Sequence, residues 1–227
     1  MGNRCDHDRK NLRLCDLAKR GKGGQHPIIG IVSAYVSQAA TKRNRLTAWQ
    51  RLNKTGRKRR SEAREAMAAV IQFLFAKEYQ LDSRRCAKRE GGYYKAVDAD
   101  LIARQISQSK AWAGKAKMSE ARVRAVIGDL VRCGYVTLSK QSKRQLTTGE
   151  WQSSPKVIQF TKAFFIDLGG KKLWKRVMQT AQQRSAVIAD KLRAIDPSTA
   201  AQRLSEHYRL SEVFSPRQAA RMRKILT

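Results

Sequence analysis

Acidic residues are scarce in this chain of 227 residues: 18 Asp and Glu stand against 48 Lys and Arg, a formal charge of +30, with pI near 10.8. So large an excess of one sign strains a compact fold unless a polyanion neutralises it, which argues against an ordinary metabolic enzyme. Cysteine is equally sparse. Cys5, Cys15, Cys86 and Cys133 make no disulfide framework in a chain of this length. Cys5, His7 and Cys15 offer three metal-ligand types, but no Cys-x-x-Cys and no fourth ligand accompany them, so no metal and no other cofactor is expected. Cys133 is expected as a small buried residue.

Long apolar runs are missing too. The longest, Ile28 to Val36, is half of the ~20 residues that a helical bilayer crossing needs. The polar start Met1-Gly2-Asn3-Arg4-Cys5-Asp6 has no signal-peptide core, and Asp6 stands where myristoylation wants Ser or Thr. A cytoplasmic protein with no membrane partner is expected. Aromatic residues are 7% of the chain, few for a protein that stacks single-stranded bases. Hydrophobic residues reach 41%, enough for a packed core.

No Gly-x-x-x-x-Gly-Lys-Ser/Thr loop occurs, which disfavours ATP-driven unwinding. Tyr93-Tyr94 could serve a nickase with tyrosine nucleophiles, but that chemistry needs a histidine pair for its metal, and His7, His26 and His207 are scattered. Asp98 and Asp100 have a simpler use beside a helix dipole. No catalytic residue is assigned and no enzyme is expected.

Four segments are expected: a basic flexible tail over 1–26, a helical and basic segment over 27–57, a DNA-binding domain over 58–168, and a basic helical region over 169–227. Seven basic residues fall between Arg51 and Arg64, opposed only by Glu62, and Arg57, Lys58, Arg59 and Arg60 form a phosphate-facing patch. Ser61 to Gln80 reads as a helix, with Met67, Val70, Ile71, Leu74 and Phe75 at helical spacing. Residues 81–96 read as a loop or irregular hairpin broken at Gly91-Gly92.

Residues 98–161 carry most of the information. Asp98 caps a short helix whose Leu101, Ile102 and Ile106 face inward. A turn with Gly114, Lys115 and Lys117 follows, and Ser119 caps a second helix, with Met118 placed to staple onto Val123. In that helix Val123, Val126, Ile127, Leu130 and Val131 form one apolar stripe. The opposite side holds Ala121, Ala125 and Gly128, flanked by Arg122, Arg124 and Arg132. Either a major groove or another helix could accept so small-sided a face. Gly134 ends the helix.

Two extended runs follow, with Val136 and Leu138 alternating inward in the first and residues 156–161 forming the second. Between them lies a polar tip carrying Lys140, Lys143 and Arg144. Helix, turn, helix and basic-tipped hairpin give a predominantly helical α+β fold: a winged helix-turn-helix with additional N- and C-terminal helices. Phe164 to Leu168 is expected as an apolar turn, Lys171 to Ala194 as a long basic helix, and Ser198 and Ser215 as starts of two more. Trp112 and Trp151 fall in loops, as half-buried anchors or stacking platforms.

The stretch from Lys58 to about Ile188 resembles the RepA replication initiators of IncFII-type plasmids. The resemblance rests on the Arg57–Arg60 lead into Ala66 to Phe75, on residues 119–125, on Leu130 to Val136, and on the passage from Ile158 to Phe165. It implies an initiator that binds double-stranded origin DNA, helps expose single strands, and lets the host initiator and replicative helicase load, without catalysis of its own. From the residues alone, a winged-helix transcriptional repressor and an RNA- or ribosome-associated basic protein remain open, as does pairing into a homodimer. In the DNA-binding readings Ser119, Arg122, Arg124 and Arg132 face the groove or its phosphates, helped by Lys115 and Lys117. Lys140, Lys143 and Arg144 hold the flanking backbone.

Overall fold

A computed structural model describes residues 26–41, 45–52, 60–90, 93–139, 143–145, 151–153 and 157–193. The expected tail, the cations Arg57, Lys58, Arg59 and Lys140, the Cys5–His7–Cys15 trio and the helices after Ser198 lie outside the described residues. The fold is predominantly helical with a small antiparallel sheet.

The first apolar run becomes α1 (Pro27–Thr41), which opens on proline, a residue whose fixed φ suits the first helical position. A short α2 (Thr47–Arg51) follows, then α3 (Ser61–Phe73), which continues as a wider π turn over Leu74–Glu78. α3 is the centre of the molecule. Every residue from Glu65 to Phe75 is buried, so this helix is wrapped on all sides. Its alanines, Ala66, Ala68 and Ala69, have no long side chains to hold neighbours off, and α1, α4 and α5 pack against it.

The expected irregular hairpin is a pair of strands, β1 (Arg85–Glu90) and β2 (Tyr93–Ala96). Next come α4 (Ala99–Gln108), a 3-10 turn over Lys110–Trp112, and α5 (Glu120–Arg132). β3 (Val136–Leu138), β4 (Lys143–Gln145), β5 (Trp151–Ser153) and β6 (Ile158–Phe160) follow. The four-stranded sheet runs β2-β1-β6-β3 with antiparallel neighbours throughout. β4 and β5 pair only with each other, in register Lys143 with Ser153 and Gln145 with Trp151. The β4–β5 pair is thus nested in sequence between β3 and β6, and the Ser139 amide continues the β3–β6 ladder by donating to the Val157 carbonyl at 3.0 Å.

Two expectations need correction here. Phe164 to Leu168 is not a turn: it is helical, inside α6 (Lys162–Arg193), and the break comes at Gly170. Gly170 has φ 75° and ψ −178°, a backbone region that a side chain makes costly, so the glycine divides α6 into two helices end to end. Leu138 does not turn into the core with Val136. It keeps 36% of its surface, where Val136 keeps 2%.

One buried cluster runs from Ile28 on α1 to Val177 on α6, across both composition boundaries drawn at 57/58 and 168/169. Its aromatic centre is Phe75, Tyr79, Phe160, Phe164 and Phe165, with Phe75 and Tyr79 stacked at 4.3 Å between ring centroids and Phe160 and Phe164 at 4.5 Å. Phe75 touches Phe160, Phe164 and Phe165 as well, joining α3, the sheet and α6.

Candidate nucleic-acid interface

The α4–turn–α5 unit is fixed by local chemistry. Ser107 donates to the Ala103 carbonyl at 2.8 Å and accepts from the Met118 amide at 2.9 Å, tying the end of α4 to the residue before the cap of α5. Trp112 is buried, and its indole N–H donates to the Ala116 carbonyl at 2.8 Å. That occupation removes Trp112 as a stacking platform for bases. Trp151 lies on β5 rather than in a loop.

Ser119 takes the capping position: its hydroxyl accepts from the Arg122 amide at 3.2 Å. Glu120 adds an acid in the first turn, where the helix dipole favours one. Met118 and Val123 are both buried, as the staple requires. At the other end Gly134 adopts φ 70°. Its amide donates to the Val131 carbonyl and the Tyr135 amide to the Leu130 carbonyl, both at 2.9 Å, the paired bonds of a Schellman stop.

Tyr135 then becomes a junction. Its hydroxyl donates to the Asp167 carboxylate and accepts from the Ala48 amide at 3.0 Å, while Thr47 donates to the same carboxylate at 3.0 Å. Burial, with the hydrogen bond to Asp167 behind it, pushes the Tyr135 phenol well above its ordinary range, so it stays neutral. The end of α5, the start of β3, the start of α2 and the first part of α6 meet at this one ring.

α5 divides cleanly into two sides. Val123, Val126 and Leu130 are buried and Ile127 half-buried, as the stripe predicts. Val131 is the exception at 38% exposure: turned about 80° from Val123 on the helical wheel, it sits at the stripe's edge. On the far side Ala121, Arg124, Ala125, Gly128 and Arg132 are exposed. Ala121, Ala125, Gly128 and Arg132 lie within about 60° of one another, with Arg124 on one flank and Arg122 on the other. A methyl group built on Gly128 would meet nothing within 4 Å. Among the described residues, no helix packs on this small-residue face.

The three arginines differ in their freedom. Arg124 pairs with Glu120 one turn before it, and Arg132 pairs with Asp129, whose side chain is mostly buried. The Arg122 side chain has no ion pair among the described residues. Both arginines remain two-thirds exposed, but only the Arg124–Glu120 pair is a surface pair weak enough to exchange partners, since Asp129 is buried beneath Arg132.

Lys115 is placed otherwise than the sequence suggested. Its ammonium lies against the Glu65 carboxylate on α3, with side-chain exposures of 11% and 4%, and 5.1 Å from the Trp112 ring. It pins the turn to the core and does not face outward. Lys117 and Arg60 are exposed. Lys143 and Arg144 lie on β4, in the strand pair nested between β3 and β6.

Sequence reasoning missed a second cationic surface as a site. Lys171, Lys172, Lys175 and Arg176 are exposed on one side of α6. Their spacing was visible, but nothing in it told which of several faces of a basic helix the core would cover.

Among the described residues no group of three His, Cys, Asp or Glu side chains could hold a metal ion, and no helix is long and apolar enough to cross a membrane. Comparisons with protein-family models, curated proteins and solved structures find no match for this chain.

Proposed function

We propose that this protein initiates plasmid replication by binding double-stranded origin DNA through a winged helix, with α5 in the major groove and the β3–β6 hairpin as the wing along adjacent phosphates. The observation that carries the DNA-binding reading is the uncovered face of α5. Small residues let the helix backbone approach the base edges, and guanidinium groups on its flanks reach guanine edges or phosphates. Arg122 is the readiest of the three arginines, being unpaired within its own helix. Arg124 exchanges its carboxylate for a phosphate on binding, while Arg132 keeps Asp129 and reaches a phosphate with the rest of its guanidinium. Ser119 and Lys117 contact the backbone near the helix start. Lys143 and Arg144 do the same from the hairpin, alongside Arg60.

Replication enters through the resemblance to IncFII-type initiators, and with it the host initiator and helicase as partners. Opening of the origin would follow from binding energy alone, the ATPase loop being absent from the sequence.

Footprinting on the DNA that flanks the protein's own gene tests the first step: one discrete protected locus is expected, and no protection anywhere overturns the reading. A plasmid carrying gene and origin should replicate only when the gene is intact. Replication without the gene would favour the repressor reading, in which the same helix serves transcription. Neutralising Lys143 and Arg144 together should lower the log–log salt slope of binding by about 0.9 for each phosphate the hairpin no longer neutralises. An unchanged slope removes the hairpin from the interface.

A further inference from the structure

A groove of about 480 Å³ lies between α1 and α6, on a surface that the α5 reading does not use. Its lining is Ile31 and Tyr35 from α1, with Gly169, Leu173, Gln179 and three cations, Lys172, Lys175 and Arg176, from α6. α1 carries no charged residue. The three cations are exposed and have no ion pair among the described residues. Like charges one turn apart on a helix repel, so an uncompensated trio is held at some cost. The floor is apolar and built to stay shallow: Leu173 is buried and Ile31 half-buried. A methyl group on Gly169 would come within 2.9 Å of both Leu173 and the Tyr35 ring, so glycine is what lets the two helices close.

One face of the Tyr35 ring is already taken. The Arg45 guanidinium lies 3.9 Å from its ring centroid, and Gly169 lies against its edge. Stacking rings are what a single-strand groove needs, and a duplex backbone has no use for an apolar floor.

We propose that the α1–α6 groove is a docking site for an acidic amphipathic peptide segment of a partner protein, its apolar side chain on Ile31 and Leu173 and its carboxylates on Lys172, Lys175 and Arg176. Charge complementarity selects the acid, and the floor selects the anchor.

The probe is a fluorescent peptide of about fifteen residues, long enough for a few helical turns, with Glu on one face and Leu on the other. Its binding to the full chain is read by anisotropy. Reversal of the three exposed cations (K172E, K175E, R176E) should weaken it about tenfold or more, an electrostatic loss of the order seen for charge pairs at interfaces. R122A, which tests the DNA face, should leave peptide binding unchanged. A control peptide with every Leu replaced by Ser keeps the charge, and it should bind about tenfold more weakly. Equal binding of the two peptides would mean that a +30 protein merely attracts acid, and would overturn the proposal. A photo-crosslinking residue at the Leu position should label Ile31, Tyr35 or Leu173, and labelling elsewhere overturns it too. If single-stranded or duplex DNA displaces the peptide, and the triple reversal weakens that DNA as R122A does not, the groove belongs to nucleic acid and the peptide reading falls.

Discussion

α3 and α5 are each thirteen residues long, each opens with an acid in its first turn, and each shows apolar residues at helical spacing. They end in opposite situations. From Glu65 onward α3 is covered on every side, whereas α5 keeps one side bare. The difference lies in what stands opposite the apolar stripe. In α3 it is Ala66, Ala68, Ala69 and Gln72, which neighbouring elements can cover at no great desolvation cost, and the buried charge among them, Glu65, is met by Lys115. In α5 small residues again occupy the far face, but arginines flank them, and burying those guanidinium groups without partners would cost far more than the packing returns. Alanine invites a neighbour; arginine reserves the space. One helix therefore sits inside the fold, and the other keeps a face in solvent.

Substitutions can break or sharpen this contrast. The largest effect is expected at Phe75, just past α3, where Phe75→Ala opens a cavity under the aromatic cluster and should cost about 3–5 kcal/mol in urea unfolding. DNA affinity should fall only as far as the folded fraction does. Next is the pin between α3 and the α4–α5 turn: Lys115→Ala leaves Glu65 buried without its partner and should cost about 3 kcal/mol. The double change Glu65→Leu with Lys115→Met should recover most of that loss. A double variant no better than the single one would show that the ion pair itself, and not only the relief of an orphaned buried charge, holds the turn.

On the α5 side the order of effects reverses. Arg122→Ala should leave unfolding unchanged and weaken specific DNA binding by about 1–3 kcal/mol, relaxing sequence preference at one position. An equal loss on random DNA would make Arg122 a phosphate contact only. Smallest is Gly128→Ala, which fills open space in mid-helix and should stabilise the fold by about 0.5–1 kcal/mol. If the helix backbone sits close to the bases, the same change should weaken DNA binding. A stabilised variant with unchanged affinity would place the groove contact elsewhere on the helix.

The sequence announced those parts of the molecule where local chemistry decides. Ser119 and Gly134 bracket α5 to the residue, because a cap needs only a hydroxyl and a stop needs only a left-handed backbone. The order of helices and strands over 98–161 is legible for the same reason. What stayed hidden depends on distant neighbours. Lys115 looks like any turn lysine until Glu65, fifty positions earlier, is brought beneath it. Arg124 and Arg132 look alike and free, and only side-chain geometry shows which carboxylate each one holds. Phe164 to Leu168 reads as a turn because Gly169-Gly170 follows it, yet the first glycine fits within a helix and only the second breaks one.

The Tyr135 ring has a mechanical consequence. It ties the tail of α5 and the start of β3 to α2 and α6, so the angle at which the chain leaves α5 for β3 is set by the core. A surface already set at its working angle surrenders little freedom when a ligand of any kind closes on it, so less of each contact is spent on ordering the protein.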